Sequence, residues 1–165
     1  MVPKIKKILY ATDLSENAKY AFDYVADLAQ HYDTMITILY VLENINHVMK
    51  IQIKDMLGSE KWDTLQSEKY DAITQKIKER LEDFCSEMNV TIDSCRFLIE
   101  DIRIKKGKPE KMIIKTAKEI HADMIVMGSS GHNIVKDALI GSTARRVVKN
   151  SEIPVLVVKL PKDNI

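Results

Sequence analysis

Met124-Ile125-Val126-Met127-Gly128-Ser129-Ser130-Gly131 is a short apolar run that stops at two glycines, and nine residues later Gly141-Ser142-Thr143 opens a segment with apolar periodicity. The unit reads as strand, turn, helix. Glycines let a backbone come close to an anion and aim its N–H groups at it, and a helix start adds unpaired donors and the positive end of a dipole. The chain has five glycines, and three of them fall in this stretch. An isolated Gly-x-x-Gly is more often an ordinary turn. Here the strand before it, the helix after it and Ser142 as the expected N-cap favour a phosphate loop, with Ser142 and Thr143 offering hydroxyls as well as amides.

Outward from this stretch the chain alternates. Ile5 to Tyr10 reads as a first strand, followed by the loop Ala11-Thr12-Asp13-Leu14-Ser15. Apolar residues at 18, 21, 22, 25, 28, 29 and 32 give a helical period. Met35 to Leu42 is almost wholly apolar or β-branched, as in a strand buried on both faces of a parallel sheet. Residues 43 to 60 show no stable period. A long helix follows from about Glu60 to Met88, with Trp62, Leu65, Tyr70, Ile73, Ile77, Leu81, Phe84 and Met88 on one stripe. Extended residues near Ile99 to Lys105, the break Gly107-Lys108-Pro109, a helix to Ile120, a strand from Asp123 to Met127, a helix from Ser142 to Asn150 and a last strand from Ile153 to Leu160 complete the chain. This order predicts a three-layer α/β/α sandwich on a five-stranded, mainly parallel sheet within a single domain spanning 1–165. Ligands of such sheets bind beyond the carboxyl ends of the strands. Ala11 to Ser15, Val41 and Gly128 to Gly131 would converge there.

Bulk properties narrow the function. With 25 basic and 24 acidic residues the formal charge is +1, which gives no general field for nucleic acid. No apolar stretch is long enough for membrane insertion, and no h-region follows Lys4, Lys6 and Lys7. Cys85 and Cys95 lack ligand or redox-motif spacing and read as thiols of a reducing, cytoplasmic compartment.

Asp13 is either a loop acid at a helix start or an acceptor for ribose or adenine; a carboxylate suits the nucleoside end better than the phosphates. Gly128-x-Ser130 starts like a nucleophile elbow, yet His132 stands where that motif needs Gly. His31 and His121 sit at expected helix ends without metal-ligand spacing. Neither Gly-x4-Gly-Lys-Ser/Thr nor Gly-x-Gly-x-x-Gly occurs. The loop after the first strand lacks the Ser-Gly-Gly-x-Asp-Ser pattern of adenylating enzymes, which argues against an ATP-cleaving ligase or sulfurtransferase.

Gly-x2-Gly-x9-Gly-Ser after a late strand resembles the ATP-binding signature of the universal stress protein family. Ile8 to Ser15, Tyr40-Val41, Gly107-Lys108-Pro109, Ala122 to Gly128 and Ile153 to Val158 extend the likeness along the whole chain. The resemblance implies an adenine nucleotide α-hydrolase-like, Rossmann-like fold and the ATP-binding subgroup. Ala11, Thr12 and Asp13 would lie by the ribose and adenine, and the Val41 backbone would recognise adenine. Met127, Gly128, Ser129, Gly131, His132 and Asn133 would line the ribose and phosphates, which Gly141, Ser142 and Thr143 would hold. ATP, ADP or AMP would be the ligand, with Mg²⁺ held mostly by the triphosphate and no protein metal ligand. A homodimer through Val155, Leu156, Val157 and Val158, with an unidentified protein partner, is also implied. Ser130 stands where the family often has a cation, and residues 43–60 match nothing in it, leaving a lid or partner-binding role there. The expectation is a nucleotide-dependent regulatory dimer of the stress response without fast hydrolysis. A nucleotide-independent interaction module and a slow ATPase remain the alternatives.

Overall fold

The computed structural model describes residues 2–44, 46–87, 99–131 and 140–161. Five strands, β1 (Lys7–Thr12), β2 (Met35–Leu42), β3 (Ile99–Lys106), β4 (Met124–Gly128) and β5 (Val155–Val158), form one sheet in the order β3-β2-β1-β4-β5. Every pairing is parallel. The described helices are α1 (Glu16–Tyr32), α2 (His47–Leu57), α3 (Ser59–Glu87), α4 (Pro109–Glu119) and α5 (Ser142–Asn150).

Alternation along β1 produces the three layers. Ile8 and Tyr10 point to one face, where Phe22, Val25 and Ala29 of α1 and Ile73 and Ile77 of α3 bury them. Leu9 and Ala11 point to the other, against Ile113 and Ala117 of α4 and Ala144 and Val147 of α5. The chain leaves β1 toward β2 and later crosses to β4 on the other side of β1. The order therefore switches between β1 and β4, which opens a crevice at their carboxyl ends.

Several boundaries differ from the expectation. β1 runs on through Ala11 and Thr12 because both find partners, Ala11 with Leu39 and Met127 and Thr12 with Tyr40. β5 is only Val155–Val158: Pro154 O still accepts from Ile125 N at 2.9 Å, while beyond the strand the Leu160 N–H turns to Asn17 Oδ1 at 3.0 Å. Residues 43–60 hold α2, which buries none of its residues. A helix without a core-facing side has no apolar period to read. On α3 the buried line is Trp62, Ile73 and Ile77, whereas Leu65 is 46% exposed. It lies about 60° round the helix from Trp62, on the side away from Ile77. Leu81, Phe84, Met88, Cys85 and Cys95 lie outside the described side chains.

Thr116, fully buried on α4, has a hydroxyl with no hydrogen-bond partner among the described residues. Thr116→Val removes that unpaired group at nearly constant volume and should raise stability by about 1 kcal/mol in urea denaturation. An equal or lower midpoint would show that the hydroxyl is satisfied in solution.

Candidate functional site

A cleft of about 510 Å³ lies at the switch point, lined by Ala11, Thr12 and Asp13, by Val41, by Met127, Gly128, Ser129 and Gly131, and by Gly141, Ser142 and Thr143. His132 and Asn133 fall outside the described residues. Leu39, Glu43, Lys69 and Ile113 also line the cleft and were not singled out in the sequence. Nothing local marks them, because they reach the cleft only through the sheet order.

The β1 exit is a compact turn. Leu14 has a φ of 64°, its N–H donates to Thr12 Oγ1 at 3.1 Å, and the Ser15 N–H donates to Asp13 Oδ1 at 3.0 Å. Ser15 then caps α1, its Oγ accepting from Ala18 N at 3.2 Å. Arg80 of α3 reaches across and donates to the carbonyls of Leu14 and Ser15. The turn also ends the ladder with β2. After Thr12 pairs with Tyr40, the next rung would take the Leu14 N–H to the Val41 carbonyl. That N–H is already committed to Thr12, so the Val41 carbonyl is left open toward the cleft among the described residues.

The β4 exit is held by Asn17. This side chain is 5% exposed, and its amide nitrogen donates to Ser129 Oγ (3.1 Å), Ser130 O (3.0 Å) and Ser130 Oγ (2.8 Å). Its oxygen accepts from Leu160 N at 3.0 Å. One amide thereby joins the start of α1, the glycine loop and the chain beyond β5. Ser130, the departure noted in the sequence, is a partner in this clasp. Asn17 carried no sequence signal beyond a polar residue in a first helical turn.

The three glycines serve different contacts. A Cβ on Gly128 would lie 3.1 to 3.2 Å from the Asn17 and Ala18 backbone, and one on Gly141 would lie 3.1 Å from Ser129 O. These two permit close backbone packing. A Cβ on Gly131 would overlap Asp13 Oδ2. The carboxylate thus reaches the glycine loop and is not confined to the far nucleoside end, because β1 and β4 are neighbours and their exits lie side by side.

Ser142 is not the N-cap of α5. Gly141 holds that position, with no side-chain cap, and Ser142 is the first helical residue. The Gly141 N–H donates to Ser129 O at 2.6 Å, and this close approach fixes where the chain turns into the helix. That amide and the Ser129 amide, which donates to Val158 O at 2.7 Å, are committed within the protein. The first-turn amides of Ser142, Thr143 and Ala144 have no internal acceptor among the described residues.

Charge is graded across the cleft. The half-buried Tyr40 phenol is raised above its ordinary pKa, first by burial and then by the negative charges of Asp13 and Glu43. Carboxylates therefore sit at the β1–β2 end and the first-turn amides at the α5 end. Among the described residues no group of three or more His, Cys, Asp and Glu side chains could hold a metal ion, and no helix is long and apolar enough to cross a membrane.

The family model described as Universal stress protein family matches residues 4–159. The chain is 31% identical over 158 residues to universal stress protein MJ0577 of Methanocaldococcus jannaschii, covering 93% of this chain and 94% of that one. The solved structure of MJ0577 superposes with a TM-score of 0.70 at 29% identity, covering 97% of this chain and 99% of that one. Universal stress protein UspA from Lactobacillus plantarum has the same fold, with a TM-score of 0.70 at 24% identity over 95% of this chain and 99% of that one. So does a universal stress protein solved in complex with cAMP, with a TM-score of 0.61 at 19% identity over 94% of this chain and 98% of that one.

Proposed function

The chain belongs to the universal stress protein family, and from that membership and the cleft we propose that it binds an adenine nucleotide and acts as a nucleotide-dependent regulatory dimer in the stress response. The observation that carries the reading is the set of first-turn amides on α5, without internal acceptors among the described residues, in one cleft with Asp13 and the Val41 carbonyl. Ser142 and Thr143 would hold phosphate oxygens through their amides and hydroxyls. Asp13 would accept from a ribose hydroxyl, and the Val41 carbonyl from the adenine amino group. Ile113, Met127 and Pro109 offer an apolar wall for the base. Ala11, Thr12, Gly128, Ser129, Gly131 and Gly141 shape the cradle, and His132 and Asn133 would complete it. Mg²⁺ would be bound mainly through the phosphates. Hydrolysis is expected to be slow, since the cleft lining among the described residues offers no arginine to stabilise a transferring phosphoryl group. The same reading places the protein in the cytoplasm.

For the dimer, β5 is an edge strand carrying Val155, Leu156, Val157 and Val158. Pairing it with its copy would cover the edge on both subunits. A nucleotide-independent interaction module is the second reading, drawn from exposed Val48, Met49, Ile51, Met56 and Leu57 on α2, within the segment expected to serve as a lid.

Mass analysis of ligand released from the purified protein, followed by calorimetry with ATP, ADP and AMP, tests the first reading. An adenine nucleotide should co-purify or bind with micromolar affinity, about −8 kcal/mol. No heat with any of the three would leave the interaction-module reading. Rapid phosphate release with Mg²⁺ would overturn the assignment as a binding protein without fast turnover.

A further inference from the structure

A second cleft, of about 460 Å³, opens between α2, α3 and the carboxyl ends of β2 and β3. It shares Leu42, Glu43 and Lys69 with the first and is otherwise built from different residues. Its lining gathers basic side chains from three elements: His47 and Lys50 of α2, Lys69 of α3 and Lys106 of β3. One carboxylate, Glu43, stands against them. Lys50 and Lys69 have no ion-pair partner among the described residues, whereas Lys7 and Lys118 are paired with Glu100 and Glu152 at 3.1 and 3.0 Å. The Lys106 ammonium donates to the neutral Gln66 Oε1 at 3.1 Å, which orients it at the cleft wall without neutralising it. Asn46 and His47, the N-cap and first residue of α2, also line the space, so the positive end of that helix adds to the field.

Cations collected around one concavity repel one another, and an entering anion relieves that repulsion. Ammonium groups brought from separate elements suit an anion whose charge is spread along a chain better than a single carboxylate. Lysines meet phosphate oxygens as point charges from several directions. The volume lies within the range of small-molecule sites. We propose that this cleft is a second anion site, which binds a short phosphate chain independently of the nucleotide cleft. The chain is either inorganic or the tail of a nucleotide, and the chemistry of recognition is the same.

Trp62 lines this cleft and is the only tryptophan of the chain, so its emission reports on occupancy. Sodium triphosphate titrated into the full-length protein should change Trp62 emission saturably. The apparent affinity should fall at least about tenfold in Lys50→Gln/Lys106→Gln, a loss of charge-assisted contacts. It should also weaken between roughly 50 and 300 mM NaCl, as screening of exposed charges requires. Both lysines are exposed, so the variant should retain the parent's melting curve. In Gly131→Val, which obstructs only the first cleft, the Trp62 response should persist within about twofold, the scatter expected of an independent site. An ATP response in that variant identifies a nucleotide tail as an accepted source; response to triphosphate with ATP silent identifies the inorganic chain. No saturable change, a response indifferent to the lysine pair, a response lost in Gly131→Val, or a response to ATP but not to triphosphate would each overturn the second site. None of these results would decide whether the first cleft binds a nucleotide, which calorimetry reads separately.

Discussion

Asn17→Ala is expected to lower folding stability by about 2–4 kcal/mol, the largest effect of any polar substitution near the cleft. The asparagine is almost fully buried, and its loss removes the donor shared by Ser129 Oγ, Ser130 O and Ser130 Oγ and the acceptor of the Leu160 N–H. Buried groups left without a partner cost more than the bonds contribute on average. Asn17→Asp preserves volume and lets the Ser129 and Ser130 hydroxyls turn to donate, but it sets a carboxylate oxygen against the Ser130 carbonyl, which cannot, so it should destabilise less than alanine. Both variants should also speed amide exchange in Ser129 to Gly131 and reduce nucleotide affinity, because the loop is no longer held against α1. Urea denaturation measures the first effect and hydrogen exchange the second. Stability within about 0.5 kcal/mol of the parent, the range of ordinary surface changes, would show that the clasp contributes little.

The second large effect is on binding. Gly131→Ala places a Cβ where Asp13 Oδ2 now lies. The carboxylate can swing aside at small cost to the fold, so stability should change by less than about 1 kcal/mol. The cleft would lose a pre-placed ribose acceptor and the close approach to the phosphates together. ATP affinity should fall at least about tenfold, equivalent to 1.4 kcal/mol. Gly128→Ala provides the contrast. Its Cβ would press on the Asn17 and Ala18 backbone at 3.1 to 3.2 Å, and backbone inside a packed helix start does not yield readily. That variant should cost about 1–3 kcal/mol of stability. Calorimetry beside thermal melts separates the two cases. Parental ATP affinity in Gly131→Ala would remove Gly131 from the proposed cradle.

The contrast between these glycines bears on how far the site was legible in the chain itself. Gly128, Gly131 and Gly141 stood out by spacing, and all three line one cleft. Their separate duties did not stand out, because what a Cβ would strike depends on which distant segment passes overhead. Asp13 was recognisable as a candidate, but its contact with Gly131 follows from β1 and β4 being neighbours. Ser142 was a reasonable N-cap by residue type; the helix runs from Ser142 to Asn150 as expected, but the cap falls one residue earlier, on Gly141, whose N–H is bonded to Ser129 O.

Periodicity and apolar content were enough to identify α1 and β2, because each buries a face and burial writes a period into the residues, while Gly107-Lys108-Pro109 marked the start of α4. α2 buries nothing and wrote none. Asn17 looked like any polar residue of a first turn, and Lys69 and Ile113 like parts of unrelated helices. Their meeting around one cleft came from the order β3-β2-β1-β4-β5, which sets the exits of β1, β2 and β4 side by side and brings α3 and α4 to their rim. Short-range preferences select the elements, whereas contacts between residues far apart along the chain exist only once the sheet has chosen which strands are neighbours.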